Sequence, residues 1–92
     1  MTDIEVTSRT GPDGWACRVR VTDDDGSTSE HDVAVAREDL ARLAPGADDP
    51  TDLVHRSFLF LLAREPKESI LRSFDLPVIG RYFPEFVRVI RR

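Results

Sequence analysis

Residues 15–35 read WACRVRVTDDDGSTSEHDVAV, two alternating runs joined by an acidic turn, and their reading decides the fold. Trp15, Cys17, Val19 and Val21 fall on one side of an extended chain, with Ala16, Arg18, Arg20 and Thr22 on the other. A period of two belongs to a strand with one buried face. Asp23-Asp24-Asp25-Gly26 interrupts it, and Asp-Gly favours a hairpin because both residues tolerate positive φ. His31, Val33 and Val35 then share one face of a further strand over 28–35. Upstream, Ile4, Val6, Ser8 and Thr10 alternate with polar residues, and Gly11-Pro12-Asp13-Gly14 is a turn cluster. These three runs predict an antiparallel meander, apolar on one side.

Downstream the period changes. Leu40 and Leu43 mark a short helix over 37–43, which Pro45-Gly46 ends. Asp49 is placed to cap a main helix over 50–64, with Pro50 at its first position. Leu53, Val54, Phe58, Leu61 and Leu62 form one stripe on it, whereas Leu59, Phe60 and Ala63 lie off that stripe. Such a helix end is apolar nearly all round and needs a second cover besides the sheet. Pro66 closes the helix and can open another over 66–73, with Ile70, Leu71 and Phe74 inward. A further turn is expected over 75–79, and a last helix over 84–90 directs Phe86, Val87 and Ile90 to one side. The 92 residues therefore read as one α+β domain, a β-meander in 1–36 and a helical part in 37–92, with three to five short helices on one face of the sheet.

At 40% apolar and 33% charged residues the composition is that of a soluble globular chain. No uninterrupted apolar run reaches the roughly 18 residues of a membrane span. The first residues, MTDIEVTSR, lack the basic start and apolar stretch of a secretory signal. With a single cysteine as well, a cytoplasmic location is expected. Charge is uneven: residues 1–52 carry five Arg against thirteen acids, a balance of −8, and residues 53–92 carry seven Arg and one Lys against four acids, a balance of +4.

The motifs exclude several chemistries. A helix–loop–helix calcium site needs Gly at the sixth position of its loop and an acidic ligand at the twelfth. Counting from Asp23, the Gly is fourth and the twelfth residue is Ala34. His31, His55 and Cys17 are too few and too scattered for a structural zinc site. Cys17, on the inward side of its strand, reads as a small core hydrophobe. Ser57, two residues after His55, lies on a different side of the helix from it, so no nucleophile–base pair forms. The five glycines make no phosphate loop. No cofactor, no metal and no enzymatic activity are expected.

Two binding functions remain. The favoured one is a non-enzymatic protein that binds a protein partner or forms a homodimer, through Leu59, Phe60 and Ala63 with Arg64 and Lys67 of the charged joint that follows. The alternative is a nucleic-acid-associated regulator that uses Arg81, Arg88, Arg91 and Arg92, with Tyr82 and Phe83 near enough to stack bases. A helix-turn-helix drawn through 68–86 has Pro77, Gly80 and Pro84 in its recognition helix, and the pI near 5.1 is acidic. A ribbon-helix-helix would need strand 31–35 to pair between two chains, although two strands within the chain already offer partners.

The stretch 57–86, SFLFLLAREPKESILRSFDLPVIGRYFPEF, preceded by HDVAVAREDLARL, resembles a family of small, uncharacterised bacterial proteins. The shared pattern comprises Ser57-Phe58, Phe60-Leu61-Leu62, residues 64–71, Phe74-Asp75-Leu76, Ile79 and residues 81–85. The resemblance covers roughly the last 60 residues and implies neither an activity nor functional residues.

Overall fold

Alternation in the first third of the chain folds into strands as expected. The computed structural model, which describes residues 2–91, contains β1 (Asp3–Thr10), β2 (Gly14–Thr22) and β3 (Thr28–Ala36), paired antiparallel in sequence order. Cys17, Val19, Val21, His31, Val33 and Val35 are buried on the inner face. Arg18, Arg20, Glu30 and Asp32 project from the outer face, where Arg18 bridges Glu30 at 3.0 Å and Asp32 at 2.7 Å. Ion pairs this exposed add little stability. In the β2–β3 turn, Gly26 donates its amide to Asp23 O at 2.9 Å and takes a φ of +86°, which glycine alone adopts without strain.

The helical half begins with α1 (Arg37–Leu43), which buries Leu40 and Leu43, and continues in α2 (Thr51–Leu62). Asp49 does meet a free amide at the start of α2, taking the Thr51 N–H at 2.9 Å, and this bond lowers the Asp49 pKa. Leu53, Val54, Phe58 and Leu61 are buried in the core, with Leu62 half-buried beside it. Phe58 is fully enclosed, packing against His31 and Phe74.

The helix expected over 66–73 does not form. A 3₁₀ turn (Lys67–Ser69) gives way at Ile70 to extended chain, and β4 (Ser73–Asp75) pairs parallel with β3. The sheet therefore has four strands, in the order β1-β2-β3-β4, three antiparallel and one added parallel to β3. The free edge of β3 supplies hydrogen bonds that a surface helix at this point would leave unmade. The change of conformation also redistributes side chains. Ile70 is buried and Phe74 half-buried, but Leu71, expected in the core, is exposed because successive residues of an extended chain point to opposite sides.

A second 3₁₀ turn (Leu76–Val78) leads into α3 (Ile79–Tyr82), and α4 (Phe86–Ile90) completes the fold. These elements provide the second cover that α2 requires: Phe60 meets Phe83 and Phe86 edge-on, with centroids 5.8 and 5.2 Å apart. Arg56 ties α2 to the end of α4 by donating to Ile90 O at 2.7 Å.

One glycine is fixed by contact. Gly14 opens β2 against Val35 at a φ of +155°, and a Cβ there would lie 2.2 Å from the Val35 carbonyl oxygen. Gly14→Ala is expected to lower the unfolding free energy by about 1–3 kcal/mol. Gly11→Ala, whose added Cβ comes no closer than 3.7 Å to Gly14 O, should cost clearly less in the same urea titration.

Candidate functional site

The segment between α2 and α3 is held down by two buried polar side chains. His31, on the inner face of β3, lies 2.7 Å from the Leu71 carbonyl through Nδ1 and 2.8 Å from the Ser29 hydroxyl through Nε2. A carbonyl only accepts, so Nδ1 carries the proton that it donates to Leu71 O. Beside it the Asp32 amide donates to Arg72 O at 2.7 Å. Lys67 performs the same task at the β2–β3 turn. Its side chain is 2% exposed, and its Nζ donates to Asp23 at 2.7 Å, Ser27 at 2.8 Å and Glu68 at 2.6 Å. The hydrogen bond to Asp23, then that to Glu68, raises the Lys67 pKa.

The two anchors hold residues 69–74 against the end of α2, and α3 closes the other side. Between them lies an apolar groove of about 290 Å³ whose floor and walls include Leu61, Ile70, Phe74, Ile79 and Phe83. Leu71 and Tyr82 stand on its rim at 46% and 67% exposure. Both Leu71 and Arg72 are fixed through their carbonyls to β3, so Leu71 projects from a held backbone. Glu65 is the one ionisable lining group besides Tyr82, and no ion pair joins it to another described residue. A larger hollow of about 820 Å³ lies over the outer face of the sheet, floored by Ala16 and Ala34. It is an open trough of mixed polar and apolar lining, partly filled by the Arg18–Asp32 pair.

The interaction residues expected from sequence are dispersed. Phe60 is buried under Phe83 and Phe86, so it is not a contact residue. Lys67 is not one either, because its ammonium is consumed within the fold. Arg64 lies over the Phe60 ring, 3.6 Å from its centroid, and donates to Phe60 O and to Glu85. Leu59, 52% exposed, and Ala63 do face solvent, on the side of α2 roughly 160° from Leu61 and its groove. Leu71 was missed because the helix pattern over 66–73 placed it inward. Ile70, Leu71 and Phe74 keep a helical spacing, so no pattern within 66–75 marked this stretch as extended.

At the basic end, Arg81, Arg88 and Arg91 are exposed, and Arg92 lies outside the described residues. Tyr82 is free to stack, whereas Phe83 is packed against Phe60. α3 is a single turn and cannot act as the recognition helix of a helix-turn-helix. Nor can β3 form an intermolecular ribbon, having β2 on one side and β4 on the other.

Ser57 is fully buried and donates its hydroxyl to Leu53 O at 2.7 Å. Cys17 is buried as expected, and burial, with a smaller contribution from Asp49, raises its pKa to about 11. Among the described residues no cluster of three or more His, Cys, Asp or Glu is placed to hold a metal ion, and no helix is long and apolar enough to cross a membrane. No family model matches the chain, and no curated protein or solved structure matches it.

Two outcomes follow from the anchors. His31→Leu leaves the Leu71 carbonyl without its partner and is expected to cost about 1–3 kcal/mol, with faster amide exchange over 71–75. Charge at the Lys67 anchor makes stability depend on pH at both extremes. The Glu68 pKa is lowered, first by its bond from Lys67, and the Asp25 pKa by its bonds from Ser27. Their contribution is complete above the unfolded values of about 4 and is lost as pH falls through the folded ones. That of Lys67 is complete below its unfolded value of about 10.4 and is lost as pH rises through the folded one. Thermal midpoints should therefore hold a plateau between about pH 5 and 8, because the unfolded Cys17 thiol ionises from about 8.5 while the buried one, at about 11, does not. Lys67→Met should lower the plateau and flatten both flanks; an unchanged profile would remove the anchor.

Proposed function

We propose that this chain is a non-enzymatic binding module that receives an apolar segment of another protein in the groove between α2 and α3. The observation that carries the reading is the pairing of an exposed Leu71 and Tyr82 with an apolar cleft whose wall is held from within by His31. Solvent-exposed large hydrophobics around a concave apolar surface favour macromolecular contact. At about 290 Å³ the cleft suits one or two apolar side chains better than a cofactor. Glu65, with no ion-pair partner among the described residues, favours a segment whose apolar anchor is flanked by Lys or Arg. An amphipathic helix carries that combination on one face. The working location would be the cytoplasm. The resemblance to small bacterial proteins is compatible with such a role and specifies no partner.

Selection of a displayed random-peptide library on the wild-type protein tests this directly. Expected are peptides with apolar residues at helical spacing beside a basic residue, whose affinity falls at least about tenfold on Leu71→Glu or Tyr82→Glu. Both substitutions are at exposed positions, so folding should be retained. Peptides that bind wild type and both variants equally would rule the groove out.

The alternative reading, a nucleic-acid-associated regulator, is supported by the exposed Arg81, Arg88 and Arg91. It requires binding at low salt that weakens steeply as salt is added. Absence of binding to single-stranded and duplex oligonucleotides at low salt would eliminate it.

A further inference from the structure

The two edges of the sheet are treated differently. On one side the sheet ends in β4, three residues long and followed directly by a 3₁₀ turn containing Pro77. Short edge strands and prolines are devices that prevent one sheet from adding to another. On the other side the sheet ends in β1, which pairs with β2 without interruption from Asp3–Thr22 to Thr10–Trp15. β1 has eight residues, no proline and no bulge. Among the described residues no backbone hydrogen bond leaves it except toward β2. One face of its ladder is therefore open along its whole length.

The side chains of β1 are unfinished in the same direction. Val19 and Val21, their partners on β2, are fully buried, whereas Ile4 and Val6 are only half-buried. Beside them a hollow of about 420 Å³ opens between β1 and the start of α2, lined by Ile4, Val6, Thr51 and His55 among others. On the outer face, Asp3 stands opposite Thr22 and Arg9 opposite Ala16, so neither has a charged cross-strand neighbour. No ion pair joins Asp3, Glu5 or Arg9 to another described residue, although Arg18 and Arg20 on the adjacent strand are both paired.

We propose that β1 is a homodimer interface, at which β1 of a second copy adds antiparallel to make one continuous eight-stranded sheet. A two-fold axis through Val6 pairs Asp3 with Arg9 and covers Val6, leaving Glu5 beside an uncharged Thr7. Asp3 then faces Arg9 of the second copy, and by symmetry the pair occurs twice. Ile4 faces Ser8 and Glu5 faces Thr7, while the two Val6 side chains meet on the inner face. This register keeps the apolar faces of both sheets on the same side, as strand periodicity requires. It also directs Ile4 and Val6 of each copy toward the other's open hollow beneath α2. Pairs of opposite charge directly across a ladder favour the register, and like charges oppose it. A symmetric isologous contact of this kind closes on itself and does not propagate. The surface is separate from the α2–α3 groove and does not depend on it.

Sedimentation velocity and light scattering across about 1–500 µM, where a weak dimer shows a concentration-dependent mass, test the proposal. The expected limit at high concentration is twice the 10.4 kDa chain mass. Arg9→Asp and Asp3→Arg, each placing like charges opposite each other twice, should weaken the dimer about tenfold. The double variant carrying both should recover most of the wild-type affinity, a result that a general loss of folding cannot mimic. Leu71→Glu should leave dimerisation unchanged, so failure at the groove and failure at β1 are told apart. A chain mass that stays at 10.4 kDa throughout, or a double variant no better than either single one, would overturn the proposal.

Discussion

The imidazole of His31 is closed off from water between Phe58 and the backbone of Leu71, and the arrangement of the helical half depends on how its two nitrogens are satisfied. A buried polar ring needs partners for both. Ser29 serves one within the same strand, and the other reaches the Leu71 carbonyl, 40 residues downstream. That bond, with Asp32 to Arg72 beside it, brings residues 70–75 onto the edge of β3. Once there the chain is extended, β4 forms, and Phe74 comes to rest against Phe58. Lys67 repeats the arrangement at the turn, where three acceptors surround one ammonium.

Charge is distributed less reciprocally between the halves than its balance invites. Lys67 with Asp23 is the pair among the described residues that joins the acidic half to the basic half over long range. Arg18, Arg20 and Arg42 pair with acids of their own half, and Arg64 with Glu85 of its own. Much of the asymmetry therefore faces solvent. Arg64 shows how a charged residue in an apolar setting is absorbed without an interface: its guanidinium lies on Phe60 and bonds to Glu85, just before α4.

What was legible from sequence had a local physical cause. The three strands appear in alternation that each residue displays on its own, and the turns appear in Gly26 and in the 11–14 cluster, where backbone freedom is needed. α1 matched its expected limits because Leu40 and Leu43 face β3 whatever follows. Phe60 was legible as a residue in need of cover, yet not as one covered by Phe83 and Phe86, because the proline-jointed pieces that carry them have no period to fix their direction. Leu71 and Lys67 were misplaced for one common reason. Their helix pattern was weak, and contacts 40 and 44 residues away outweighed it.

By itself the sequence determined that this chain is an α+β domain with an apolar-faced three-stranded antiparallel meander, a main helix opened by acidic residues and Pro50, and a turn at each glycine cluster. Those features follow from periodicity and from backbone preference, which act between near neighbours. Only the tertiary structure decided that 67–75 is turn and strand, that Lys67 and His31 are interior anchors, and that Leu71 and Tyr82 border a groove. It also decided that β1, an ordinary strand by its alternation, is the long edge left open. Burial and edge position depend on what the rest of the chain brings alongside, and no short-range pattern records that.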